Sequence, residues 1–152
     1  MCSLVKDRLV AGGLAGIIGA ALQQAYGLIA KAIGITDRAF IDFAEILVLS
    51  KIFTGPLAFI VSSIAHLIVG LLLGVIFAYV IKLTSSNYYL LKGLGYGVVW
   101  WMLLMGFGTI FRLPVFSPIP PYAALSTLVG AAIYGLATAY TLGLLDKKTK
   151  IL

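Results

Sequence analysis

Four long apolar stretches alternate along the chain with short connections that carry most of its polar residues and prolines. They cover about residues 9–33, 57–81, 91–111 and 122–145. Each reaches or exceeds the roughly 20 residues that a helix needs to cross a hydrocarbon core. Ala, Leu and Gly are dense within them, and period-2 alternation is missing. Helices rather than strands follow, because a helix satisfies its own backbone hydrogen bonds in lipid. The expected fold is therefore all-α: a single membrane domain over 1–152, built as a transmembrane bundle of four helices.

The connections differ in kind. Residues 82–87 form a short polar turn, and residues 112–121 contain Pro114, Pro118, Pro120 and Pro121, which cannot stay helical. The longer stretch 36–56 reads as a separate short helix beginning at Thr36 or Asp37, both good N-caps. Arg38, Asp42 and Glu45 fall on one stripe of it, which predicts an interfacial or re-entrant helix with an Arg38–Asp42 pair on its wet face. A fifth crossing is disfavoured, since Asp42, Glu45 and Lys51 would each enter the membrane at a cost of about 3 kcal/mol.

Basic residues near the span ends predict the orientation. Lys6, Arg8, Lys82, Lys92, Lys147, Lys148 and Lys150 belong to the side of the two termini, against Lys31, Arg38, Lys51 and Arg112 opposite. Seven against four places both termini in the cytoplasm, in a multi-pass protein of the cell membrane.

The two halves resemble one another. An offset of 81 lays the first span on the third, with Gly12 on Gly93, Gly16 on Gly97, Gly27 on Gly108 and Lys31 on Arg112. An offset of 61 lays the second on the fourth, with Gly74 on Gly135, Ala78 on Ala139 and Tyr79 on Tyr140. Two repeated two-helix units, about 9–81 and 91–145, would then share one orientation, related by an axis along the membrane normal. Small residues at four-residue spacing mark the contact faces: Gly12, Gly16 and Ala20; Gly70, Gly74 and Ala78; Ala131, Gly135, Ala139 and Gly143. The same faces could join copies of the chain into a homo-oligomer. Gly93, Gly95 and Gly97 belong to this packing logic too, since a phosphate loop needs a preceding strand and water.

Composition agrees with lipid as solvent. The chain is 62% hydrophobic and 11% charged, with a mean hydropathy of +1.12, against about 25% charged residues in soluble domains. The net charge of +6 is scattered over span ends rather than gathered on a stripe, so nucleic acid is excluded as a partner and the lipid bilayer takes its place. Lys6 and Arg8 precede an apolar run too long for a signal peptide, which reads as an uncleaved first span. Cys2 is the single cysteine, so no intrachain disulfide exists.

Candidate chemistry rests on few residues, and none is assigned as catalytic or as a metal ligand. His66 lies about nine residues into the second span, roughly 14 Å deep at 1.5 Å per residue. Ser62 and Ser63 precede it by one turn, and Gly70 and Gly74 continue its face. Gln23 and Gln24 sit at mid-depth in the first span, where an amide joins helices or lines a polar cavity. Thr127, Tyr134, Thr138 and Thr141 are possible contributors from the fourth span. Arg38, Asp42, Glu45 and Arg112 form an expected charged cluster at the outer mouth. Trp100, Trp101, Tyr88 and Tyr89 read as lipid-facing or interfacial aromatics.

The segment Gly13-Leu14-Ala15-Gly16-Ile17-Ile18-Gly19, and Ala65-His66-Leu67-Ile68-Val69-Gly70 with Gly74, resemble patterns in small prokaryotic four-span integral membrane proteins. Those proteins form domain families without an assigned activity, so the resemblance implies a fold and no chemistry. Two functions stay open. One is a non-enzymatic binding, transport or assembly module without a cofactor. The other is a membrane enzyme acting on a lipid or isoprenoid, with His66, Asp42 and Glu45 as acid–base groups. Whether His66 approaches Asp42, Glu45 or Gln23 around a cavity separates them.

Overall fold

In the computed structural model the described residues are 7–85 and 87–149, without the side chains of 147–149; Cys2, Lys6 and Lys150 lie outside them. Among the described residues five helices form, α1 (Arg8–Ala32), α2 (Phe40–Leu49), α3 (Pro56–Thr84), α4 (Tyr89–Ile110) and α5 (Pro121–Thr149). The ends follow local chemistry. The Asp7 carboxylate accepts the Leu9 and Val10 backbone N–H groups (2.8 and 3.4 Å), which caps α1. Gly34 closes it at φ +77°, where the Ile35 N–H returns to the Ala30 carbonyl (2.9 Å). Pro56 and Pro121 open α3 and α5, where a missing N–H costs nothing.

α1, α3, α4 and α5 are long and apolar enough to cross a membrane. The protein is an all-helical, multi-pass membrane bundle. Ten residues make α2 about 15 Å long, half a hydrocarbon core, so it is the short extra helix and not a fifth crossing.

The start of α2 differs from the sequence expectation. Thr36 caps nothing: its hydroxyl donates to the Arg38 carbonyl (2.9 Å) and accepts the Arg38 N–H (3.3 Å), a local turn that competes with helix. The helix begins four residues later, where the Asp42 carboxylate accepts the Ala39 N–H (2.7 Å). Ala39 packs on Gly27, five residues before the end of α1, so the chain re-enters the bundle by about 7 Å before α2 starts. Asp42 and Glu45 are consequently buried rather than on a wet face.

The long helices stand in a row, α3–α1–α5–α4, with α2 resting on α3. α1 runs antiparallel to α3, as Gly12 meets Ala78 at one end and Gln24 meets Ser63 towards the other. Glycine decides how close they come. A Cβ on Gly16 would collide with the Gly70 carbonyl and the Gly74 backbone, and one on Gly74 with the Gly12 carbonyl. α4 and α5 meet in the same way: Gly97 abuts the Ala131 carbonyl and Gly135, and Gly135 abuts the Gly93 carbonyl. The small-residue faces read from the sequence are thus used within the chain. α1 meets α5 where Gly19 abuts Thr138 and Tyr134.

α3 and α4, at the two ends of the row, barely touch. Tyr96 bridges them, its hydroxyl donating to the Leu73 carbonyl (2.6 Å) and its ring 5.0 Å from Phe77.

Gly16→Ala should lower stability by about 2 kcal/mol through overpacking against backbone that cannot retreat. Gly95→Ala, where an added Cβ meets open space, should raise it by about 0.5–1 kcal/mol. Unfolding in mixed micelles by increasing denaturing detergent checks both; equal effects would mean that α1 and α3 are not in close contact.

Candidate functional site: a cavity open to lipid

Because α3 and α4 are held apart on one side of Tyr96, a cavity of about 630 Å³ lies between them. That falls within the roughly 300–1,000 Å³ typical of small-molecule sites. α1 and α5 form its back wall through Gln23, Ala131 and Tyr134; α2 closes one side with Phe40, Phe43 and Leu47. Trp100, Trp101 and Leu104 line the α4 side, while Val69, Leu103 and Phe107 are exposed at its rim. The opening therefore faces hydrocarbon rather than water. No Asp, Glu, Lys or Arg among the described residues lines it.

Its polar groups are few and unevenly satisfied. His66 is 6% exposed, with Nε2 3.2 Å from the Ala20 carbonyl. A carbonyl only accepts, so Nε2 carries the proton and Nδ1 keeps a bare lone pair in the neutral ring. Tyr134 donates to the Gly70 carbonyl (2.8 Å). Gln23 is 5% exposed and lines the cavity, and its carboxamide makes no hydrogen bond among the described residues.

The polar centre expected from the sequence divides here. His66 and Gln23 face the cavity. Gln24 turns away and donates to the Ser63 hydroxyl (3.0 Å), Ser62 donates to the Ala58 carbonyl one turn back (2.7 Å), and Thr127 accepts the Trp101 indole N–H (3.0 Å). Trp100 and Trp101 are not simply lipid-facing: both line the cavity. The signal was present in their position three and four residues after Gly97, which puts them beside that contact face. The inward-facing Phe40 and Phe43 had no such signal.

The charged residues join differently from the expected cluster. Asp42 pairs with Lys31 at the end of α1 (2.8 and 2.9 Å), not with Arg38. Re-entry turns Asp42 inward beneath Lys31, whereas Arg38 precedes the helix and reaches along the neighbouring loop. Arg38 pairs with Asp37 (2.7 and 2.9 Å) and donates to the Val115 and Pro118 carbonyls, the latter at 3.1 Å. Its guanidinium holds the Asp37 carboxyl below the usual range, and Asp37 in turn raises Arg38. Glu45 accepts the Phe53 N–H (2.7 Å), and exposed Arg112 joins no ion pair among the described residues. His66 is hydrogen-bonded to neither carboxylate. Among the described residues no group of three His, Cys, Asp or Glu side chains could hold a metal.

No protein-family model, curated protein or solved structure matches the chain.

Arg38→Ala should cost about 2 kcal/mol, as the loop carbonyls lose a charged donor; thermal unfolding in mild detergent measures it. The pH dependence has a definite sign. With its pKa depressed in the folded state, Asp37 contributes fully above its unfolded value of about 3.9, and the contribution fades as pH falls through the lower folded value. The stability gap between wild type and Asp37→Asn should therefore stay constant from neutral pH down to about pH 5 and shrink as the pH is lowered below about 4.

Proposed function

We propose that this protein is a non-enzymatic binding module of the cell membrane, with both termini cytoplasmic, that receives a small lipid-soluble molecule from the bilayer into the cavity between α3 and α4. The observation that carries this reading is an apolar cavity, open sideways to hydrocarbon, whose back wall holds an amide with no hydrogen bond among the described residues. Acyl chains can enter such a site without crossing water. The excess of basic residues on the side of the termini supports the orientation.

The reading also takes α1–α3 and α4–α5 as copies of one two-helix unit, and the matching contacts support it. At the same offsets of 81 and 61, Gly12 against Gly74 and Ala78 corresponds to Gly93 against Gly135 and Ala139. The cavity then has a physical origin. The α1–α5 contact at Gly19, with Ala15 buried one turn before it, has its counterpart between α4 and α3, where Trp100 and Tyr96 stand instead. Large rings at small-residue positions keep α4 from closing on α3.

An enzyme using His66, Asp42 and Glu45 has less support. Asp42 is engaged by Lys31, Glu45 by the Phe53 N–H, and neither carboxylate lines the cavity. An oligomer would have to use faces other than the glycine faces already filled within the chain.

Gly106→Leu tests the reading directly, because Gly106 lines the cavity and an added side chain there meets open space. Native mass spectrometry from lipid nanodiscs should find a lipid-soluble adduct on the wild type and on Gly95→Leu, and none on Gly106→Leu. An adduct unaffected by Gly106→Leu would place binding elsewhere, and a bare wild type would remove the binding role.

A further inference from the structure

Two polar side chains of the cavity lining, Gln23 on α1 and His66 on α3, narrow the class of ligand it can hold. We infer that the cavity selects an uncharged lipid alcohol, with its hydrocarbon chain in the aromatic trough and its hydroxyl between Gln23 and Nδ1 of His66. This selectivity rests on the binding role proposed for the cavity and specifies its ligand.

Each group sets one condition. Since Nε2 of His66 is committed to the Ala20 carbonyl, Nδ1 can only accept. Gln23 is nine-tenths buried, lines the cavity and lacks a hydrogen bond among the described residues, so its amide N–H groups need an acceptor. Leaving such groups unpaired against hydrocarbon is unfavourable. A hydroxyl meets both, donating its proton to Nδ1 and accepting from the Gln23 amide. An alkane meets neither.

Ionised heads fare worse. The cavity is lined by no described residue of either charge, so an anion or an ammonium would sit in low dielectric without a counter-ion. The nearby charges are already engaged, Lys31 with Asp42 and Arg38 with Asp37. An anionic head would in addition meet the Nδ1 lone pair.

The test uses the whole chain in nanodiscs and the emission of its two tryptophans, Trp100 and Trp101, both in the cavity wall. Chains brominated at the tail quench them at short range. The probes are 12-bromo-1-dodecanol, 1-bromododecane and 12-bromododecane-1-sulfonate, with unlabelled farnesol and 1-dodecanol as competitors. The alcohol should half-quench at a mole fraction at least tenfold lower than the other two, the scale of two neutral hydrogen bonds. Gln23→Leu and Gln23→Met should erase that advantage while 1-bromododecane still quenches, which shows that the cavity persists. Displacement by farnesol ahead of 1-dodecanol would assign the alcohol to the isoprenoid series, and the reverse order to straight chains; both support the inference. Equal quenching by alcohol and bromoalkane would overturn the head-group selection and leave the cavity reading standing. No saturable quenching by any probe would overturn both.

Discussion

Close approach of backbones at glycine holds this bundle together, because helices in lipid gain nothing from burying apolar surface against one another. Packing and hydrogen bonding must supply the attraction, and both depend on distance. Gly16 against Gly70 and Gly74, and Gly97 against Ala131 and Gly135, bring two antiparallel pairs into backbone contact. Gly19 beside Thr138 and Tyr134 then joins the pairs. Three close contacts make a row of the four long helices whose end members, α3 and α4, are not packed together.

That incomplete closure is what gives the molecule a site. Tyr96 both links α3 to α4 and spaces them, and Trp100 and Trp101 line the gap that this leaves. Hydrocarbon alone would suit most of the space thereby opened. Gln23 and His66 alter its character, since an amide with no hydrogen bond among the described residues and an imidazole with one free nitrogen ask for a particular kind of head group.

The outer edge is held by other means. There the chain leaves α1, re-enters beside Gly27 and forms α2, which would be poorly anchored by apolar contact alone. Lys31 with Asp42 fixes the start of α2 to the end of α1, and Arg38 ties the same segment to the loop before α5. Phe43 stacks on Phe116 of that loop at 4.5 Å, joining α2 to the other half of the bundle. Charges and aromatics thus secure one end, and glycines the span.

The sequence by itself determined the four crossings, their ends and their contact faces, because hydrophobic length, proline position and glycine spacing are local properties. Residues 9–33 became Arg8–Ala32, and 122–145 fell inside Pro121–Thr149. It also singled out His66 and Gln23, since polar groups are conspicuous in an apolar helix. Only the tertiary structure decided which of two adjacent glutamines faces a cavity, and which carboxylate meets which cation. Gln23 and Gln24 differ by about 100° around one helix, and a partner at Ser63 takes one and leaves the other open. Likewise the turn at Thr36, a contest between side-chain and helical hydrogen bonds, swung Asp42 inward to Lys31 and left Arg38 for Asp37. Such pairings depend on where a second element lies, and spacing along one chain carries no record of that.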